Sequence, residues 1–314
     1  MSNARARYRI GLTILVTAIS IAACSETRPQ GESSRRPSAE EGRLAVYVVN
    51  YPLQYFAERI GGENVEVRFP APHDGDPAFW MPDAETVGVY QQADLILLNG
   101  ANYAKWVGRV SLPQAKLVNT SLGFQDQYML VQNAVIHAHG PKGEHSHGDI
   151  AFTTWLDPKL AVEQARAITQ AFVKSRPDQK ESFEDGFTNL ERDLLDLDQE
   201  ISNIVSTNPS QPLVASHPVF QYLTRRYGLN VKTVHWEPDE VPDDRKWREF
   251  TDILAAHPAQ WMIWEGEPNP ATVAKLKSMG ITSVVFDPCG NVPEKGDFLS
   301  VMQQNVENLK RAFR

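Results

Sequence analysis

Four of the chain's eight histidines fall in one short stretch, His137-Ala138-His139-Gly140-Pro141-Lys142-Gly143-Glu144-His145-Ser146-His147-Gly148. A neutral imidazole is the commonest protein ligand for zinc and related ions. Two His-x-His steps spaced by glycine and proline let several rings reach one ion without a fixed fold. His137, His139, His145 and His147 therefore read as a metal-catching loop, although the same composition also suits a solvated polar segment. A mid-chain position, between two regions that each carry the pattern of a folded lobe, sets the stretch apart from a purification tag.

The elements on either side would have to position anything such a loop delivers. Before it, β-rich apolar runs at residues 44–49, 65–69, 94–98 and 116–119 alternate with helical spacing at 52–60 and 84–92, and a Pro/Asp-rich loop fills 70–82. After it, Asp157-Pro158 opens a helix, Pro177 interrupts it, and 178–206 carries Phe183, Phe187, Leu190, Leu194, Leu197, Ile201 and Ile204 on one stripe. That run makes about eight turns, roughly 43 Å, which reads as a stiff strut between domains, the alternative being a helical hairpin packed on one lobe. Runs at 212–216, 231–236, 261–264 and 283–286, each followed by helical spacing, repeat the alternation. The fold expected is α/β: two lobes, each a mostly parallel sheet flanked by helices, joined by one long helix.

In open α/β sheets ligands bind beyond the carboxyl ends of the strands. In the second lobe those places hold His217, Glu237, Glu265 and Asp287. One imidazole and up to three carboxylates form a borderline-to-hard donor set suited to zinc or manganese. Each also has a plain structural use: a helix cap for Asp287, a surface charge for Glu237, a buried hydrogen-bonding partner for Glu265.

The amino terminus is an export signal. Arg5, Arg7 and Arg9 precede an apolar run over 10–23 that is too short for a comfortable span and ends Ile21-Ala22-Ala23-Cys24. That ending resembles a bacterial lipobox, which would make Cys24 the lipidated first residue of the mature chain. Residues 25–43 offer almost nothing to bury and read as a disordered tether. The whole chain carries −8, and the first 23 residues hold three arginines and no acid, so the remainder stands at −11. Such a chain suits cations and is a poor partner for nucleic acid. With Cys24 lipidated, Cys289 has no disulfide partner. The organisation expected is 1–23 signal, 24–43 tether, 44–155 first lobe with the histidine loop at 137–148, 156–208 linking helices, and 209–314 second lobe.

Several segments carry a family resemblance. Ser216-His217-Pro218-Val219-Phe220-Gln221-Tyr222, followed by Arg226-Tyr227-Gly228-Leu229, resembles a signature of the zinc and manganese ABC-transporter solute-binding proteins. Ala93-Asp94 through Asn99-Gly100, Trp155-Leu156-Asp157-Pro158, Trp264-Glu265 and Phe286-Asp287-Pro288 fit in order, so the likeness spans nearly the whole mature chain. It implies a metal site in a cleft between two lobes, a rigid linking helix, a lipid anchor, a mobile histidine loop, an ABC permease as partner, and action as a monomer on the outer side of the membrane. Of the four ligands it implies, two map onto His217 and Asp287. The other two positions hold Ala78, in Asp76-Pro77-Ala78, and Thr153, two residues before Trp155.

Two donors alone would bind a divalent ion weakly. Three repairs are open: His145 or His147 from the loop, His73 or Asp76 from the first lobe, or the Cys289 thiolate, in that order. The function expected is capture of a divalent transition metal, zinc or alternatively manganese, for delivery to the permease. The alternative is the same fold holding a metal chelate or small organic solute against its tryptophans. An enzyme, with Glu265 as general base beside a metal on His217 and Asp287, is disfavoured because the chain has no HExxH spacing or phosphate loop.

Overall fold

The structure, a computed structural model, describes residues 42–131 and 150–314, together with the backbone of 136–138 and 144–146. The export signal, Cys24, His139 and His147 lie outside the described residues.

The first lobe is a four-stranded parallel sheet of β1 (Leu44–Val48), β2 (Val65–Arg68), β3 (Leu95–Leu98) and β4 (Leu117–Asn119), in the order β2-β1-β3-β4. Between them run α1 (Tyr51–Gly61) and α2 (Ala84–Gln92), capped by Asn50 and Asp83, whose side chains accept from Leu53 N and Thr86 N. Strands β5 (Ile136–Ala138) and β6 (Glu144–Ser146) pair antiparallel, with His137 opposite His145. Helix α3 (Pro158–Ser175) starts at the Asp157 cap with proline in its first turn, as the sequence predicts.

Helix α4 (Lys180–Ser206) is 27 residues long, about 40 Å at 1.5 Å per residue. Its apolar stripe, from Phe183 to Val205, is buried. The expected link between lobes is found, and the hairpin is present but not confined to one lobe. The helix forms a hairpin with α3 across Pro177, and it also runs from α1 in the first lobe to α8 (Phe298–Ala312) in the second. Close approach to α1 depends on Gly186, where a Cβ would lie 2.5 Å from Ile60 O and 2.8 Å from Arg59 O. At the other end Asp198 of α4 receives Arg226 through two bonds and the Tyr227 hydroxyl at 2.9 Å.

The second sheet contains β7 (Pro212–Ala215), β8 (Asn230–Thr233), β9 (Trp261–Trp264) and β10 (Thr282–Val285), all parallel, in the order β10-β9-β7-β8. Read from the other edge, this is the strand order of the first sheet. Helices α5 (Gln221–Tyr227), α6 (Asp244–Ala256) and α7 (Pro270–Ser278) fill the crossovers. The run expected at 231–236 is a strand only to Thr233, yet its pairing continues: Val234 N donates to Ala215 O at 2.9 Å and Trp236 N to Ser216 O at 2.7 Å.

One apolar core runs from Val46 and Phe56 through α3 and α4 to Leu213 and Phe298, while Trp236, Trp247, Phe250 and Trp264 pack a second core on the outer face of the second sheet. No helix among the described residues is long and apolar enough to cross a membrane.

Candidate metal centre

Strand order decides which of the strand-end residues meet. β7 lies between β9 and β8, so the residues after these three strands emerge side by side. Ser216 N donates to Ile263 O at 2.9 Å, and Ser216 O accepts from Trp236 N. These bonds hold His217 in the middle, with Glu265 on one side and Glu237 on the other. His217 Nδ1 lies 3.3 Å from Glu265 Oε1, and Nε2 lies 3.5 Å from Glu237 Oε1. One donor atom from each of the three residues lies within 4.8 Å of the other two. The histidine is 2% exposed and sits at the floor of the cleft. A neutral imidazole offers one N–H and one lone pair. With a carboxylate at each nitrogen, one contact therefore sets a lone pair against an anion unless a cation lies on that side. The ring of His235 stands edge-on to His217, centroids 5.9 Å apart.

Asp287 leaves the edge strand β10 and lines the same cleft, but it is not among the three residues whose donor atoms converge. Its Oδ1 accepts from Cys289 N at 2.7 Å. Burial raises its carboxyl above the ordinary aspartate value, with Glu265 adding to the rise against the Cys289 bond. Burial, with Asp287 and Asp297 nearby, also pushes the Cys289 thiol up. The residue is buried in a left-handed turn at φ 56°.

His73 is exposed and does not line the cleft, while Asp76 lines it and accepts from Ala78 N through Oδ1 at 2.8 Å. Ala78 is buried, and Thr153 Oγ1 donates to Val219 O at 2.5 Å. The register of β5 and β6 puts His137 and His145 at directly opposed positions.

The first lobe supplies an aromatic wall. Phe79, Phe152, Tyr103 and Trp155 succeed one another edge to face, with centroids 6.1, 5.2 and 5.8 Å apart, and Trp80 also lines the cleft. A buried amide network fixes the segment bearing this wall. Asn50 Nδ2 donates to Asn99 Oδ1 at 3.2 Å and Gln164 Nε2 to the same oxygen at 3.1 Å; Asn99 Nδ2 donates to Phe152 O at 2.9 Å and Thr154 Oγ1 to Gln164 Oε1 at 3.2 Å.

The loop after β10 ties the two walls together. Trp155 Nε1 donates to Pro288 O at 2.7 Å and Tyr51 N to Gly290 O at 3.1 Å. Asn291 Nδ2 faces the carbonyls of Pro72, His73 and Gly75 at 2.9, 3.2 and 3.1 Å. The cleft encloses about 680 Å³ and is lined by seven carboxylates, Asp74, Asp76, Glu237, Asp239, Glu265, Glu267 and Asp287, with no lysine or arginine among the described residues. A concavity so charged collects cations. Sequence reasoning placed Glu237 at a strand end but left it out of the favoured ligand set. Gln164 and Asn291 gave no local signal, because their network partners are distant in the chain, as is the Asn99 partner of Asn50.

A family model described as zinc-uptake complex component A, periplasmic, matches residues 46–312. The zinc-binding lipoprotein AdcA of Streptococcus pneumoniae (strain ATCC BAA-255 / R6) is 25% identical over 282 residues, covering 86% of this chain and 56% of AdcA. The chain thus spans about half the length of that curated relative. The high-affinity zinc uptake system protein ZnuA of Bacillus subtilis (strain 168) is 27% identical over 312 residues, with 92% of each chain covered. Among solved structures, the metal-dependent lipoprotein YcdH of Bacillus subtilis superposes with a TM-score of 0.75 at 23% identity, covering 87% of this chain and all of that one. The Zn(II)-bound ZnuA-like domain of Streptococcus pneumoniae AdcA gives 0.74 at 22% identity, with 87% and 99% covered. Likeness at these identities establishes the two-lobed α/β fold.

Proposed function

The chain belongs to the family of periplasmic zinc-uptake complex component A proteins, and from that premise we propose that it captures zinc in the cleft and hands it to an ABC permease. The observation that carries this reading is the convergence of His217, Glu237 and Glu265 at three adjacent strand ends. One imidazole and two carboxylates suit zinc, and the additional acids of the cleft favour any divalent cation over anions. Asp287 and Asp76 line the same cleft and are candidates for a further oxygen donor, from the second and first lobes respectively, whereas His73 does not line it.

An ion bound to one imidazole nitrogen would leave the other nitrogen as an N–H facing a carboxylate. That carboxylate–histidine–metal arrangement orients the ring and raises its basicity. No covalent chemistry is required of the chain. The tether after Cys24, lipidated in this reading, holds the protein at the outer face of the membrane, where a monomer can reach the permease.

Isothermal titration of metal-free protein tests the site. Zinc should bind far more tightly than millimolar, the level that corresponds to about −4.1 kcal/mol. His217→Ala should abolish measurable binding, and Glu237→Gln should weaken it by at least tenfold. Binding no stronger than millimolar in the unaltered protein would remove the support for transport. Mass spectrometry of the amino-terminal peptide from membranes, with and without Cys24→Ser, tests the anchor.

A further inference from the structure

We propose that the cleft takes its metal as a small cationic chelate, the ion resting on His217, Glu237 and Glu265 and the organic part lying against the aromatic wall of the first lobe. This rests on the reading of the cleft as a metal site and adds the chemical form of the cargo. Three independent observations point the same way.

The first is size. An ion with six waters needs roughly 180 Å³ at about 30 Å³ per water, whereas the cleft encloses about 680 Å³. Clefts of this order ordinarily hold organic molecules, gripped by apolar walls and a few placed polar groups.

The second is the division of the lining. The three converging donors come from the second lobe, while the facing first-lobe wall is built from Phe79, Tyr103, Phe152 and Trp155 and also carries Asp74 and Asp76. Thr153 also lines the cleft, with its hydroxyl spent on Val219 O. A chelator bound to the incoming ion would fill the coordination positions that this wall leaves open. Aromatic faces also attract a complex with net positive charge.

The third is Tyr103. The residue is 2% exposed, its hydroxyl has no hydrogen-bond partner, and it lines the cleft. The facing loop carries Gly290, where a Cβ would lie 3.7 Å from Tyr103 Oη and from the Trp155 ring. Buried hydroxyls are nearly always satisfied. Burial keeps this phenol protonated, so its O–H can donate to an acceptor atom of the chelator, such as a carboxylate oxygen. Seven lining acids with no lysine or arginine in the lining favour a complex that remains cationic.

The full chain, purified in detergent and stripped of metal, is dialysed in parallel against zinc chloride, the cationic 1:1 zinc–L-histidine complex and the anionic zinc–nitrilotriacetate complex. Bound zinc is measured by elemental analysis and bound chelator by mass spectrometry. The expected result is retention of histidine in equal proportion to zinc, with the zinc taken up at least tenfold more tightly than from zinc chloride, and rejection of the nitrilotriacetate complex. Tyr103→Phe, which keeps the ring, should narrow the tenfold advantage to less than threefold. Equal binding of zinc chloride with no histidine retained would overturn the chelate form and leave the metal site standing. Uptake of the anionic complex as readily as the cationic one would overturn the charge selection. Failure of every form to bind would overturn the site and its cargo together.

Discussion

Asn291 offers a test of how the cleft is held together. Its Nδ2 faces three carbonyls of the loop at residues 72–75, at 2.9, 3.2 and 3.1 Å, while its Oδ1 accepts from Val292 N at 2.8 Å. The Val292 bond fixes which way the amide points, since the reversed amide would set an oxygen against three oxygens. An amide nitrogen has two protons, so the three contacts amount to about two hydrogen bonds, each worth about 0.5–1.5 kcal/mol net. Asn291→Ala should therefore release the 72–75 loop by about 1–2 kcal/mol, roughly a five- to thirtyfold shift toward the detached loop. Asn291→Asp should release it further, because a carboxylate oxygen would replace the donor. The loop carries Asp74 and leads into Asp76 and Phe79 on the cleft wall. Two readouts should move together: amide hydrogen exchange over residues 72–79, and the rate at which a competing chelator strips bound zinc. Exchange and stripping rates within twofold of the unaltered protein in both variants would refute the latch.

Serine at all four of His137, His139, His145 and His147 should leave zinc affinity within about threefold, because three donors converge without them; a tenfold loss, about 1.4 kcal/mol, would show by titration that the loop completes the site. Burial opposes the charge on Asp198, but the bonds from Arg226 and Tyr227 outweigh it and hold the carboxyl below its ordinary value. Its contribution is thus fully present above the unfolded aspartate pKa near 3.9 and is lost as pH falls through the lower folded value. Asp198→Asn should cost about 2–4 kcal/mol in urea denaturation at pH 7, the gap to the unaltered protein closing below about pH 4. Gly186→Ala should destabilise by about 1–3 kcal/mol despite the helix propensity gained, since its Cβ meets backbone carbonyls that cannot step aside; an increase in the melting temperature would contradict the packing of α1 on α4.

The parts of this architecture that depend on local pattern could be read from the chain. Strand runs such as 261–264 and the helix start at Asp157-Pro158 are set by periodicity and turn chemistry within a few residues. The four strand-end candidates of the second lobe were likewise visible. Which of them meet was not, because it depends on β7 lying between β8 and β9 and on pairing that continues past Thr233 to Trp236. That extension carries Glu237 to His217, while Asp287 stays at the sheet edge. Asn291 and Gln164 were illegible for a related reason: Asn291 finds its acceptors more than two hundred residues away, and Gln164 sits in α3 at a position where a glutamine needs no partner.

The shared strand order of the two sheets gives every site position a counterpart. His217 stands two residues beyond β7 and Glu265 one beyond β9; the same steps beyond β1 and β3 lead to Asn50 and Asn99. Asn50, Asn99 and His217 are buried and Glu265 is partly buried, and each corner brings its side chains together, at 3.3 Å in the second lobe and 3.2 Å in the first. The corner in the first lobe is neutral, and its amides are spent on holding Phe152 and Gln164. The corner in the second lobe carries ionisable groups. A repeated scaffold has thereby split its labour, one copy serving as masonry and the other as the berth. A metal ion held by His217, Glu237 and Glu265, as proposed, would have no bond to Asn50 or Asn99 to break on leaving.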